Sequence, residues 1–157
     1  MNRTVRALTA ALMRGPARHV LRPVITPLDR LLFRLSGGRL KLSSVMIPSL
    51  MLYSTGARSG LERETPLMCF PQAGGTWFVA GSNFGLERHP AWSGNLIANP
   101  DAAIHYRGTR IAVRAALLTP AEAEAVWPVL DEQWPGYRDY EKTAGRDIRI
   151  FRLVPRG

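Results

Sequence analysis

Cysteine is nearly absent from this chain. Cys69 stands alone, so no intramolecular disulfide framework and no all-cysteine zinc site can form. Histidine is scarce and dispersed, at positions 19, 89 and 105, which makes a histidine metal centre an unpromising reading, and none is expected. No apolar run approaches the ~18 residues of a membrane-spanning helix. Arginines at 3, 6, 14, 18 and 22 interrupt every stretch that could serve as a signal-peptide core, so the expected location is cytoplasmic. Acidic residues are the last shortage, and it is a local one. Residues 1–45 carry nine Lys/Arg against one acid, Asp29, a balance of +8. Residues 46–157 carry twelve against eleven, a balance of +1, so almost all of the net charge of +9 sits in the N-terminal segment. A basic arm on a near-neutral body suits an anionic surface or ligand. It holds a single aromatic, Phe33, and so lacks the stacking platform that single-stranded nucleic acid favours; no nucleic acid is expected.

What is present is a globular composition, 46% hydrophobic and 21% charged over 157 residues, sized for about one domain. The reading divides it into a basic helical arm over residues 1–45 and a folded domain over 46–157. Leu21, Val24, Ile25, Leu28, Leu31, Leu32 and Leu35 recur at steps of three and four, one helical face, with Thr26 as cap, Pro27 and Asp29 in the first turn and Gly37-Gly38 as the stop. An earlier helix is expected over residues 2–13. Such a helix either packs on the domain or lies on an anionic leaflet, arginines among the headgroups and leucines below, which would place residues 1–40 on the inner face of the cell membrane.

Beyond residue 45 the pattern turns to strands. Ser49–Thr55, Glu64–Phe70 and Thr76–Gly81 are short apolar runs between Gly/Pro-rich turns. Pro90–Asn99 predicts a short helix. Ala102–Arg107 and Arg110–Leu118 predict a hairpin about Gly108. Thr119-Pro120-Ala121-Glu122 is a capping-box start for a helix running to about Gln133. Further helix is expected over Tyr137–Thr143 and a closing strand over Ile148–Val154. Strands cluster without regular alternation with long helices, which favours an α+β fold: an antiparallel sheet or small barrel with helices packed outside.

Three stretches can carry chemistry. The first is Thr55-Gly56-Ala57-Arg58-Ser59-Gly60 with Arg63 and Pro66. A glycine-bounded turn brings backbone N–H groups close to a ligand, and two nearby guanidinium groups can grip phosphate or carboxylate; an ordinary hairpin turn with solvated arginines has the same composition. The second is Ser82-Asn83-Phe84-Gly85, followed by His89-Pro90-Ala91-Trp92 and Asn95-Leu96. Here Trp92 either stacks on a flat ring or fills the core. The third is Trp134-Pro135-Gly136-Tyr137-Arg138-Asp139-Tyr140, whose aromatics at spacings of three either pack or wall a pocket and supply a phenol as proton donor.

In this order, the three stretches resemble the deazaflavin-dependent nitroreductase family, the coenzyme F420-dependent oxidoreductases of actinobacteria. The residues that carry the resemblance are 55–60, Arg63 with Thr65-Pro66-Leu67, Gly81 to Gly85, His89 to Trp92, Asn95-Leu96-x-Ala98-Asn99-Pro100, Pro135-Gly136-Tyr137-x-x-Tyr140 and Asp147-Ile148-x-Ile150. It covers about two thirds of the chain, roughly residues 48–155. The resemblance implies an FMN-binding-like split β-barrel, no metal, and an enzyme that uses reduced F420 to pass a hydride to a quinone, enone or nitro compound. It implies cofactor contacts from Gly56, Ala57, Arg58, Ser59, Gly60, Arg63, Thr65, Pro66, Leu67, Met68, Gly81, Ser82, Asn83, Phe84, Gly85, Trp92, Asn95 and Leu96. Arg58 and Arg63 would meet the phosphate and oligoglutamate tail. Ser82, Tyr137 or Tyr140 would be the proton donor. An FMN-dependent split-barrel oxidoreductase and a non-catalytic F420-binding module are the alternatives. Asn83, Met68, Ser93-Gly94 and Trp134 depart from the family pattern near the ring and acceptor, which leaves the substrate open.

Overall fold

The computed structural model describes Leu31, residues 48–134 and residues 137–157. The two helices expected in the arm and the motif residues Pro135 and Gly136 lie outside these, apart from Leu31, which is helical and exposed.

Seven strands form one antiparallel sheet: β1 (Ser49–Thr55), β2 (Glu62–Met68), β3 (Phe70–Gln72), β4 (Thr76–Ala80), β5 (Asp101–Tyr106), β6 (Thr109–Leu117) and β7 (Ile150–Pro155). Their order is β2-β1-β5-β6-β7-β4-β3. The two edge strands, β2 and β3, are therefore consecutive in the chain and separated by Cys69 alone. That single-residue link requires the sheet to curl round until its edges meet. The Cys69 amide closes the corner by donating to the Pro48 carbonyl at 2.9 Å. The result is a half-barrel, the split-barrel architecture expected. Pro66 is tolerated because β2 is an edge strand and pairs only with β1, in a register that runs from Ser49↔Met68 to Thr55↔Glu62.

Among the described residues from 48 onward, three α-helices accompany the sheet: α1 (Ala91–Ala98), α2 (Pro120–Gln133) and α3 (Asp139–Ala144). Alternation along the strands sends neighbouring side chains to two separate cores. Trp77, Val79, Leu50, Leu52, Ile104, Phe151 and Leu153 turn inward and are joined by Trp92 and Leu96 of α1. Phe78 and Ile150 face the other way, to Trp127 and Leu130 of α2 and to Trp134, Tyr137 and Tyr140. Burial on both faces explains why β4 reads Trp-Phe-Val without a polar alternation.

The expected elements need three corrections. The run Glu64–Phe70 is two strands broken at Cys69, because the chain turns the barrel corner there. The last helix occupies Asp139–Ala144 and not Tyr137–Thr143, since Tyr137 still belongs to the turn after α2. The closing strand starts at Ile150, two residues late, because Asp147 and Ile148 complete the turn from α3. The capping box of α2 forms as its sequence dictates: Thr119 Oγ1 accepts from the Glu122 amide, and Glu122 accepts from the Thr119 amide at 2.8 Å.

Candidate functional site

The polar candidate residues fall mainly into two groups, the turn between β1 and β2 and the loop after β4, with α1 packed beside both. The first surrounds the turn between β1 and β2. Within it, the Gly56 amide donates to the Leu61 carbonyl and the Gly60 amide to the Gly56 carbonyl, both at 2.8 Å. Ser59 Oγ accepts from the Leu61 amide at 3.3 Å and from Arg63 at 3.2 Å. The Ala57 amide is taken by Asn95 Oδ1 at 3.0 Å. Most of the turn's amides are thus spent in shaping it. Those of Arg58 and Ser59 have no hydrogen-bond partner among the described residues. The donor set offered outward is narrower than the glycine pattern suggested: two amides and the exposed guanidinium groups of Arg58 and Arg63. Gly60, at φ +68 with nothing within 4 Å of where a Cβ would stand, keeps the rim open.

Asn95 is engaged within the chain on both sides of its amide. Its amide nitrogen donates to Ser54 Oγ at 3.3 Å while its oxygen holds Ala57, so it braces the turn from α1. Asn99, one helical turn on, donates to the Thr55 carbonyl at 3.5 Å. The Asn-x-x-x-Asn spacing puts both amides on the face of α1 that meets the end of β1. Their role as braces was legible in that spacing once the neighbour was known.

The second group is the loop after β4. Gly81 is buried, and Ser82, Asn83 and Phe84 are half-buried. Asn83, Phe84 and Gly85 lie consecutively at φ 49, 58 and 72. Two non-glycine residues in the left-handed region cost about 1–2 kcal/mol each, so neighbouring structure must hold the loop in this shape. Asn83 Nδ2 donates to the Arg88 carbonyl at 2.9 Å, tying the loop across itself. Gly85 packs so closely that a Cβ there would stand 3.1 Å from Tyr140 and 3.3 Å from Thr143.

The aromatic stretch joins this loop from behind. Tyr137 Oη donates to Ser82 Oγ at 3.1 Å, with the Ala80 carbonyl at 3.3 Å as the other acceptor within reach. Tyr137 and Tyr140 meet edge-on at 5.5 Å and are almost fully buried. Burial, partly offset by the bond to Ser82, pushes the Tyr137 phenol far above its ordinary value, so it stays protonated. Three residues named as candidate proton donors are therefore brought together, with Ser82 the most exposed of them.

Trp92 and Leu96 belong to the inner core, Trp92 lying 5.7 Å from Phe151. Thr65, Pro66, Leu67 and Met68 are half-buried along β2; Leu67 packs on the inner core and Met68 on the outer one. An open groove of about 260 Å³, lined by Phe70, Pro71, Gln72, Val129, Glu132 and Gln133, contains none of the candidate residues. No set of three or more His, Cys, Asp or Glu among the described residues can hold a metal.

A family model for F420H(2)-dependent quinone reductase matches residues 30–155. The chain belongs to that family. An F420H(2)-dependent quinone reductase of Mycobacterium tuberculosis is 31% identical over 112 residues, 69% of this chain and 74% of its own. Among solved structures, an F420-H2 dependent reductase, FDR-A, has a TM-score of 0.61 at 30% identity and covers 68% of this chain and 94% of its own. A domain-swapped dimer reaches a TM-score of 0.64 at 27% identity, covering 89% of this chain and all of that one, 100%. Membership in the quinone reductase family makes the chain an oxidoreductase and implies reduced F420 as its cofactor, in agreement with the motif resemblance. The donor set fits that group: its acidic tail needs cations and free amides, and Arg58, Arg63 and the Arg58 and Ser59 amides offer both.

Proposed function

We propose that this protein reduces a quinone with F420H2, holding the cofactor's acidic end at the turn 56–60 and its ring beside the loop 81–85. The bound cofactor supplies a hydride. The observation that carries the placement is the bridge made by α1. An eight-residue helix spans about 12 Å at 1.5 Å per residue; its Asn95 and C-cap Asn99 hold the turn, and its N-cap Pro90 packs beside Gly81, where the polar loop begins. Arg58 and Arg63 neutralise the tail, Asn95 and Asn99 keep the turn in shape, and Ser82 presents a hydroxyl backed by the Tyr137 phenol. A hydroxyl so placed donates a hydrogen bond to a developing oxyanion while Tyr137 holds its other side. Enones, which share the conjugated carbonyl of a quinone, and nitro compounds, which are electron-poor acceptors of a different kind, are the further substrate classes to test.

Titration of the chain with F420, followed by tryptophan fluorescence and with FMN as control, tests the cofactor. Saturable binding of F420 alone is expected. The double variant Arg58→Ala/Arg63→Ala should weaken that binding by at least roughly ten-fold, the loss of charge-assisted contacts to an anion. Unchanged affinity would remove the tail site. Binding of FMN instead would favour the FMN-type reading. F420H2 oxidation is then followed with menaquinone, enones and nitro compounds in turn.

The arm, residues 1–40, is proposed to bring the domain to an anionic leaflet where a lipid quinone resides. Its eight arginines against one acid, a balance of +7, support this. Among the described residues, no helix is long and apolar enough to cross a membrane. Flotation with anionic liposomes should retain the full chain and release a form lacking residues 1–40; equal flotation of both would end the idea.

A further inference from the structure

Arg146 belongs to none of the sequence motifs, yet its guanidinium reaches along the whole second loop. Nε donates to the Leu86 carbonyl at 3.2 Å. Nη2 lies 3.3 Å from the Gly81 carbonyl, 3.3 Å from that of Ser82 and 3.2 Å from that of Arg88. Nη1 donates to the Asp147 carbonyl at 3.1 Å and meets His89 Nδ1 at 3.0 Å. Arginine has no acceptor, so Nδ1 accepts and the His89 proton resides on Nε2. No carboxylate pairs with Arg146 among the described residues. Its charge is spent on the carbonyl oxygens of Gly81, Ser82, Leu86, Arg88 and Asp147.

We propose that Arg146 is a positioning residue for cofactor binding, clamping the loop 81–89 in the shape that presents Ser82 and Asn83. The inference rests on the functional reading above and assigns a task to a residue that reading leaves idle. The loop needs such a clamp. Its three consecutive left-handed residues oppose ordinary backbone preference, and its own bonds are few: Gly85 amide to Ser82 carbonyl, Leu86 amide to Asn83 carbonyl, and the Asn83 side chain to Arg88. α3 supports one side through Tyr140 and Thr143. Arg146 follows that helix directly, after Gly145 has turned the chain in the left-handed region, and holds the other side. Only a planar fork of five N–H donors reaches carbonyls five and seven residues apart; a lysine ammonium is a single point with three donors. Burial and the neighbouring Arg149 lower the pKa of Arg146, and its guanidinium nevertheless stays charged.

The test uses the full chain and the variants Arg146→Lys and Arg146→Ala. Amide hydrogen exchange, measured without cofactor, should speed up by roughly ten-fold in peptides covering 82–89 and stay at the wild-type rate in β1 and β6. F420 affinity by fluorescence should fall by roughly ten-fold or more in both variants, because ligand groups held loosely bind poorly. Lysine should not rescue, whereas millimolar guanidinium added to Arg146→Ala should restore part of the affinity. Faster exchange spread evenly over the sheet would show a general structural role and overturn the proposal. So would full function in Arg146→Lys, or wild-type loop exchange and affinity in both variants. A wild-type chain that fails to bind F420 overturns the functional reading itself, a result distinct from any of these.

Discussion

At the scale of single residues, polar side chains in this protein act mainly on other parts of the protein. Asn95, Asn99, Asn83 and Arg146 each make at least one hydrogen bond to a backbone group in or beside the two loops that carry the candidate site. His89 shows how this links to pH. Its pKa is lowered first by burial, then by Arg146 and Arg149, with Asp147 opposing. The neutral ring is the form that accepts from Arg146. A histidine whose folded pKa lies below its ordinary 6.5 contributes stability that is complete above 6.5 and is lost as pH falls through the folded value. Thermal unfolding followed from pH 8 down to pH 5 should therefore show an acid decline in the wild type that is reduced in His89→Gln, whose amide oxygen accepts at every pH. Identical slopes would mean that His89 does not contribute.

At the scale of elements, local chemistry and tertiary demand divide the work. α2 starts where its sequence says it must, since a threonine cap, a proline and a reciprocal glutamate satisfy the first orphan amides without help from elsewhere. Thr119→Ala should cost about 1 kcal/mol and lower the unfolding midpoint by a few degrees, readable by thermal or urea denaturation. An unchanged midpoint would mean that the packing of Val126, Trp127 and Leu130 alone holds the helix. α3 is the opposite case. Six residues are too few to be stable in water, so it exists because Tyr140 and Ala144 are buried, and its bounds could not be read from periodicity. The same applies to the break at Cys69. The apolar pattern runs straight through it, and only the closure of the sheet demands a corner there.

At the scale of the whole molecule, one curled sheet separates two cores and belongs to both. Phe78 and Trp77 are neighbours in the chain and lie in different cores, as do Ile150 and Phe151. Loss of either core should therefore unfold both. Leu130→Ala, at a fully buried site on α2, should destabilise by about 2–5 kcal/mol. The loss should appear as one shifted transition by tryptophan fluorescence and by far-ultraviolet circular dichroism together. Separated transitions would show that the outer core unfolds by itself.

The sequence by itself determined the strand-rich class, the starts of α1 and α2, the absence of a disulfide framework, the concentration of charge in residues 1–45, and, through the order of its motifs, the cofactor class. These are matters of local composition and spacing, and a chain carries them whatever it folds against. The tertiary structure decided what each motif residue touches. Trp92 and Leu96 are buried in the inner core, because α1 turns that side toward Phe151. Asn95 braces the turn, because its amide meets Ala57 and Ser54, 38 and 41 residues away in sequence. Arg146 lies in no motif and reaches carbonyls up to 65 residues away. A hydrogen bond between distant segments leaves no periodicity in the chain, so only the folded backbone can reveal it.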